Sequence, residues 1–230
     1  MSGDFASSAY TAAIWIIPVL LAVTLHEAAH GWVAWKLGDD TAYQRGRVTF
    51  NPLAHIDPMG TVIIPALLIF SGAQFLFGWA KPVPVNFGRL GKPRRDMILV
   101  AAAGPGTNLV LAIIAAVLIH LSVLLPETAA KFVTLNLINL LKLNVLLALF
   151  NMLPLPPLDG GRVVTGLLPA SLARPFAKIE RYGLFILVGL IFILPWLGNA
   201  LGFRINLFAW LIGGPSEFVI NVIASAVGLR

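Results

Sequence analysis

Apolar residues run in long blocks along this chain, separated by short stretches where prolines, glycines and charges collect. A helix needs about 20 apolar residues to cross a bilayer core. On that measure the pattern predicts spans near 11–37, 97–122, 131–153 and 183–203. The tail from 205 to 228 is also apolar but is interrupted by Gly213, Gly214 and Pro215. It reads either as one broken span or as a short helix followed by an interfacial one. Residues 60–79 form a further apolar run, broken by Pro65 and by Ser71-Gly72. The expected fold is an all-α polytopic membrane protein of about five to six transmembrane helices.

Composition strengthens this reading. Hydrophobic residues make up 58% of the 230 and charged residues 11%, against about 25% charged in a soluble domain. Mean hydropathy is +0.88. No stretch of ordinary polar composition is long enough to fold as a soluble domain. The net charge of +6 is dispersed between apolar segments, which fits loops at an anionic membrane surface and argues against a nucleic-acid partner. Without cysteine, disulfides, thiolate ligands and cysteine nucleophiles are excluded. The first ten residues, MSGDFASSAY, lack the basic region of a signal peptide, so no cleavage is expected.

Lys and Arg in short loops stay on the cytoplasmic side. Three clusters obey this together: Lys36, Arg45 and Arg47; Arg89, Lys92, Arg94 and Arg95; and Arg162, Arg174, Lys178 and Arg181. The N-terminus then lies outside, and the 60–79 run enters and leaves on one face as a re-entrant hairpin, a plain crossing being the alternative.

Within the first span the chain reads LHEAAHGW (25–32). His26 and His30 are four apart, so on a helix they stand about 40° apart in azimuth and about 6 Å apart along the axis, and both can reach one ion. Glu27 is placed to touch a water on that ion without being a ligand, the arrangement of H-E-x-x-H zinc hydrolases. With four His and four Glu in the chain, the pattern arises by chance in about one such chain in a thousand. A central Asp costs a span about 2.5 to 3.5 kcal/mol, so three ionisable groups together argue for function over helix pairing.

Catalytic zinc takes three protein ligands and leaves a fourth position open. The extended H-E-x-x-H-x-x-G-x-x-H form is excluded by Val33 and Lys36. No glutamate occurs between Glu27 and Glu127. Candidates for the third ligand are His55, Asp57, Asp96, His120 and Asp159. His120 falls at the far end of its span, and Asp96 suits a helix start for its own sake. Asp159 stands out in NMLPLPPLDGG (151–161), where three prolines end a helix. Gly160 and Gly161 are expected to permit an unusual turn, holding the carboxylate on non-helical chain at the depth of the histidines.

HEAAH at 26–30, AGPGTN at 103–108 and NMLPLPPLDGG at 151–161 together resemble the site-2 protease family of intramembrane zinc metalloproteases. NPLAHIDPMGT (51–61) and GWAKPVPVN (78–86) resemble its compact bacterial branch, which has no PDZ domain; none is visible here. The likeness covers about residues 15–182. It implies one membrane-embedded peptidase domain over 1–230, with a catalytic core of about 11–182 and C-terminal helices over 183–230. It further implies His26, His30 and Asp159 as ligands of one Zn2+ per chain, and Glu27 as general base and acid. Asn108 matches a position thought to assist at the scissile carbonyl; an interhelical hydrogen bond is the other reading. The implied function is hydrolysis of a peptide bond in or near the transmembrane segment of a single-span membrane protein, in the regulated intramembrane proteolysis of such proteins. The protein would sit multi-pass in the bilayer of a bacterial inner or plasma membrane, with its site towards the cytoplasm.

A spanning helix hides its carbonyls in internal hydrogen bonds, so a substrate must unwind before cleavage. In GWAKPVPVN, Pro82 and Pro84 leave one strand edge without donors, while Val83 and Val85 keep theirs on the other. That open edge is a candidate for substrate strand addition, an unpartnered loop being the alternative. His55 is either substrate-facing or an ordinary loop histidine. A membrane metal transporter or metal-binding protein without peptidase activity is the competing function. Against it, the polar groups cluster at one end of the spans rather than through them.

Overall fold

The computed structural model describes residues 2–70, 78–203 and 206–229, without the side chains of 2–9, 65, 69 and 70. The first helix is α1 (Ser2–Lys36), followed by the single turn α2 (Thr41–Gln44). A π-helical turn at Pro58–Ile63 then runs into α3 (Ile64–Phe70). Two long helices come next, α4 (Pro93–Leu121) and α5 (Glu127–Asn151), then the shorter α6 (Asp159–Leu167) and α7 (Ala170–Ala177). α8 (Gly183–Val188) and α9 (Leu194–Ala200) are joined by a π-helical stretch, and α10 (Gly214–Ala226) is last. No strand occurs among the described residues.

Among the described residues, five helical stretches are long and apolar enough to cross a membrane: Tyr10–Lys36, Pro93–Leu124, Glu127–Asn151, Glu180–Ala200 and Ala209–Ala226. The last resolves the tail. Gly213, Gly214 and Pro215 do not break it, because the helix passes from a π-helical turn at Ala209–Gly213 into α10. Pro215 falls in the first turn of α10, where a missing N–H costs least.

The centre of the molecule is the mutual packing of α1, α4 and α5, with α6 laid against α4. Ala112, Ala115 and Ala116 of α4 form one buried cluster with Leu140, Leu141 and Val145 of α5 and Ile223 of α10. Small residues matter here because no hydrophobic force draws helices together in lipid, and close van der Waals contact must do so. At the opposite end, Ala34 of α1, Leu90 of the loop before α4 and Val100 of α4 make a second cluster, against which Val85 and Phe87 pack. Basic loops meet at this end. The Gly91 N–H donates to the Leu37 carbonyl (3.1 Å), Arg89 pairs with Asp40 (2.8 Å), and Arg94 donates to the carbonyls of Gly166 and Leu168.

The 60–79 run returns to where it leaves. The Trp79 N–H donates to the Gly60 carbonyl (3.1 Å), and the Thr61 hydroxyl donates to the Trp79 carbonyl (2.9 Å). A crossing would part these ends by about 30 Å. The Ser71-Gly72 break falls at 71–77, outside the described residues.

Candidate metal centre

α1 carries His26 and His30 on one face, as their spacing requires, and that face meets α4 at Gly104. A Cβ at Gly104 would lie 2.6 Å from His26 Nε2, so only glycine leaves the two imidazoles their place. The third group comes from far along the chain. Asp159 Oδ2 lies 3.3 Å from His26 Nε2 and 3.3 Å from His30 Nε2, and the two nitrogens are 3.1 Å apart. All three side chains are buried, and they form the metal-competent cluster found among the described residues.

Asp159 does not sit on non-helical chain; it is the first residue of α6. Gly160 and Gly161 have no positive φ either. Their role is close approach. A Cβ on Gly160 would strike the Met152 and Leu153 carbonyls, and one on Gly161 the Leu155–Pro156 backbone, so both glycines let α6 start directly against the proline loop.

Hydrogen bonds settle which nitrogens carry protons. The Asn144 amide donates to the Leu140 carbonyl (2.8 Å), and Asn144 Oδ1 accepts from Asn108 Nδ2 (2.7 Å). Asn108 Oδ1 is therefore the acceptor for His26 Nδ1–H, at 2.5 Å. His30 Nδ1–H donates to the Val100 carbonyl (2.7 Å). With both protons on Nδ1, both Nε2 lone pairs face Asp159. An anion and two lone pairs thus converge, and a cation between them is what makes the arrangement stable.

Zinc fits it. Tetrahedral ligation at about 2.0–2.1 Å from nitrogen and oxygen puts ligand atoms about 3.3 Å apart, close to the 3.1, 3.3 and 3.3 Å found. Three such donors would hold a tetrahedral ion with a fourth position left over. His26, Glu27, His30 and Asp159 all line one cavity of about 300 Å³, whose mouth is bordered by Arg162 and Glu180.

Glu27 is half-buried and accepts the Val83 N–H at 2.8 Å. The open strand edge expected at 82–85 is therefore corrected. Val83 spends its donor on Glu27 and is itself buried, and residues 79–86 form no strand. Val85 lines the same cavity as Val83 and packs against the Ala34, Leu90 and Val100 cluster. Two residues that the sequence did not single out hold this segment. Buried Arg47 donates to the Lys81 carbonyl (2.6 Å), and fully buried Asp39 accepts the Asn86 N–H (2.6 Å). Burial lowers the Arg47 pKa from the usual arginine value, and the Glu27 charge counters that shift. A basic residue just beyond a span reads as an orientation signal, which is why Arg47 is missed; Asn144, a polar residue inside a span, is missed as well, although its setting was a signal that could have found it.

The remaining candidates lie elsewhere. Asn108 is fully buried behind His26, its amide taken up by interhelical bonds to α1 and α5. His55 is buried in the loop, its Nε2 bonded to the Thr49 carbonyl (3.1 Å). Asp57 accepts the Gly60 N–H (2.7 Å), Asp96 accepts the Lys92 N–H at the start of α4 (2.7 Å), and His120 Nε2 meets the Val227 carbonyl at the far end (2.8 Å).

The chain is similar to known proteins. The model of peptidase family M50 matches residues 14–142 and 124–194. A protein of Bacillus subtilis (strain 168) named "Putative zinc metalloprotease YwhC" is 42% identical over 187 residues, covering 78% of this chain and 80% of that one. Rip2 of Mycolicibacterium smegmatis, named likewise, is 29% identical over 202 residues (88% and 74%). Rip2 of Mycobacterium tuberculosis H37Rv is 31% identical over 194 residues (84% and 70%). No solved structure matches.

Proposed function

Because the chain belongs to peptidase family M50, we propose that it is a zinc-dependent endopeptidase that cleaves membrane-protein substrates within or beside their transmembrane segments, with its site towards the cytoplasm. One observation carries this reading. Two imidazole lone pairs and a carboxylate converge with zinc spacing, beside a glutamate that is not part of the triangle.

His26, His30 and Asp159 would hold the ion, which when bound lowers the pKa of a coordinated water and polarises the scissile carbonyl. The chain's own groups do the rest. Asn108 and the Val100 carbonyl fix the imidazole rings, so the ligand triangle needs little rearrangement. Glu27 holds a proton taken from water and passes it to the leaving amine. The Val83 N–H keeps its carboxylate aimed. Arg47 and Asp39 anchor the segment carrying that N–H. Water has a route through the cavity bordered by Arg162 and Glu180, at the end where the basic loops gather.

The test is cleavage of a model single-span substrate by detergent-purified protein, with bound zinc measured alongside. Wild type should cleave. Glu27→Gln should keep its zinc and lose at least a hundredfold in rate, in line with the usual contribution of a general base. Normal cleavage by Glu27→Gln would refute the mechanism, and zinc binding without cleavage by wild type would favour the metal-binding alternative.

A further inference from the structure

Two charged side chains face outwards from the middle of membrane spans. Lys142 of α5 and Glu217 of α10 are both exposed. Lys142 stands about 14 Å from the metal-bearing end of α5 and about 22 Å from the other, and Glu217 lies about 12–14 Å from either end of the Ala209–Ala226 stretch. Long side chains snorkel to water from near a helix end, and both of these start too deep for that. Asn221 and Ser225, also exposed, follow Glu217 at four-residue steps and extend it into a polar stripe along α10. None of the four side chains has an ion pair or hydrogen bond among the described residues, and none borders the metal-bearing cavity.

The packing of α10 on α5 sets these groups at matching depth. Phe150 and Ile212 line one cavity, Ile223 sits in the buried cluster with Leu140 and Leu141, and the Val227 carbonyl meets His120 at the far end. The two helices therefore run in opposite directions. Measured from the level of Ile223 and Leu140, Asn221 and Lys142 both fall about 3 Å nearer the metal-bearing end, and Glu217 about one turn further. A lysine side chain covers that turn. α5 and α10 thus present to lipid a cation, an anion and an amide that both donates and accepts.

We propose that this face is the interface between two copies of the chain, related by a two-fold axis along the membrane normal. Such an axis keeps every residue at its depth and sets the face against itself, so Lys142 of each copy meets Glu217 of the other, with Asn221 and Ser225 bonding between them. What this requires is self-complementarity, and one face holding both members of the ion pair supplies it. An unrelated helix would have to carry the opposite charges in the same register, and lipid tails offer neither. Pairing Lys142 with Glu217 inside one copy would leave the other ammonium protons and the Asn221 amide in hydrocarbon, where unsatisfied groups are costly; a second copy covers them. The dimer is independent of the peptidase reading, because none of its residues touches the metal triangle or Glu27.

The experiment produces two differently tagged copies together, purifies them in mild detergent and measures the share of one captured through the other. Wild-type copies should co-purify. Lys142→Glu on both copies, or Glu217→Lys on both, sets like charges against each other and should weaken association at least about tenfold. One copy carrying Lys142→Glu and the other Glu217→Lys should associate again, since both cross-pairs are restored although each chain alone holds two like charges. That arm separates pairing between copies from pairing within one. In bilayers, the cysteine-free chain accepts a single Asn221→Cys, which leaves both charges in place and should give disulfide-linked dimers on oxidation, whereas Ile114→Cys, exposed on α4, should not. Wild-type copies that neither co-purify nor crosslink through Asn221→Cys would overturn the proposal. So would a mixed pair that associates no better than the like-charged pairs, or equal crosslinking by the two cysteines.

Discussion

The protonation of the His26 imidazole is fixed from behind, by a chain that begins at the Leu140 carbonyl and passes through Asn144 and Asn108. Breaking it at its most distant side chain tests whether that order matters. Asn144→Leu should weaken zinc binding about 10- to 100-fold, the usual effect of losing a group that orients a ligand, as read by chelator competition. Gly104→Ala should lose zinc more completely, because its methyl would occupy the space of His26 Nε2; bound metal per chain measures this. His26, Glu27 and His30 were legible because a helix turns a four-residue spacing into one face. Asn144 was not, since an asparagine inside an apolar run shows that a polar partner exists without saying which helix supplies it; here the partner is 36 residues away. Asp159 could be singled out as a candidate among five, and only the fold shows that it closes the triangle.

Between elements, the stretch from Trp79 to Asn86 acts as a brace over α1. Arg47 grips its Lys81 carbonyl, and two residues later its Val83 N–H meets Glu27. Arg47→Gln should therefore lower kcat at least tenfold with zinc stoichiometry unchanged, since the ligands do not touch the brace; loss of zinc in this variant would place Arg47 in the ligand scaffold instead. The alternation of Pro and Val suggested a strand whose free donors would meet a substrate; the stretch forms no strand, and the Val83 N–H meets Glu27. Strand periodicity specifies which groups share an edge, not what that edge faces. The same limit applies to Gly160 and Gly161. Glycine marks either unusual φ or close contact, and here contact with the Met152–Pro156 backbone decides. Gly161→Ala should cost about 1–3 kcal/mol by overpacking, visible as a lowered thermal midpoint in detergent.

Across the whole molecule, the number of spans follows from the apolar blocks alone, because bilayer thickness sets helix length independently of packing. Four of the stretches found start and stop within about four residues of those expected, and the fifth, Ala209–Ala226, lies in the tail that the sequence left open. The orientation rests on basic loops that the fold gathers at the metal-bearing end. A cysteine at exposed Gly91 meets only ordinary contacts and should react with an impermeant maleimide from the cytoplasmic side alone; labelling from outside would invert the topology. The claim on which all else depends is that α1 and α6, brought together against α4, share a single ion. The direct measurement is zinc per chain in purified wild type and in Asp159→Ala. The account predicts about one zinc for the former and almost none for the latter, as expected when one of three ligands is removed. Stoichiometric zinc retained with undiminished affinity in Asp159→Ala would contradict it.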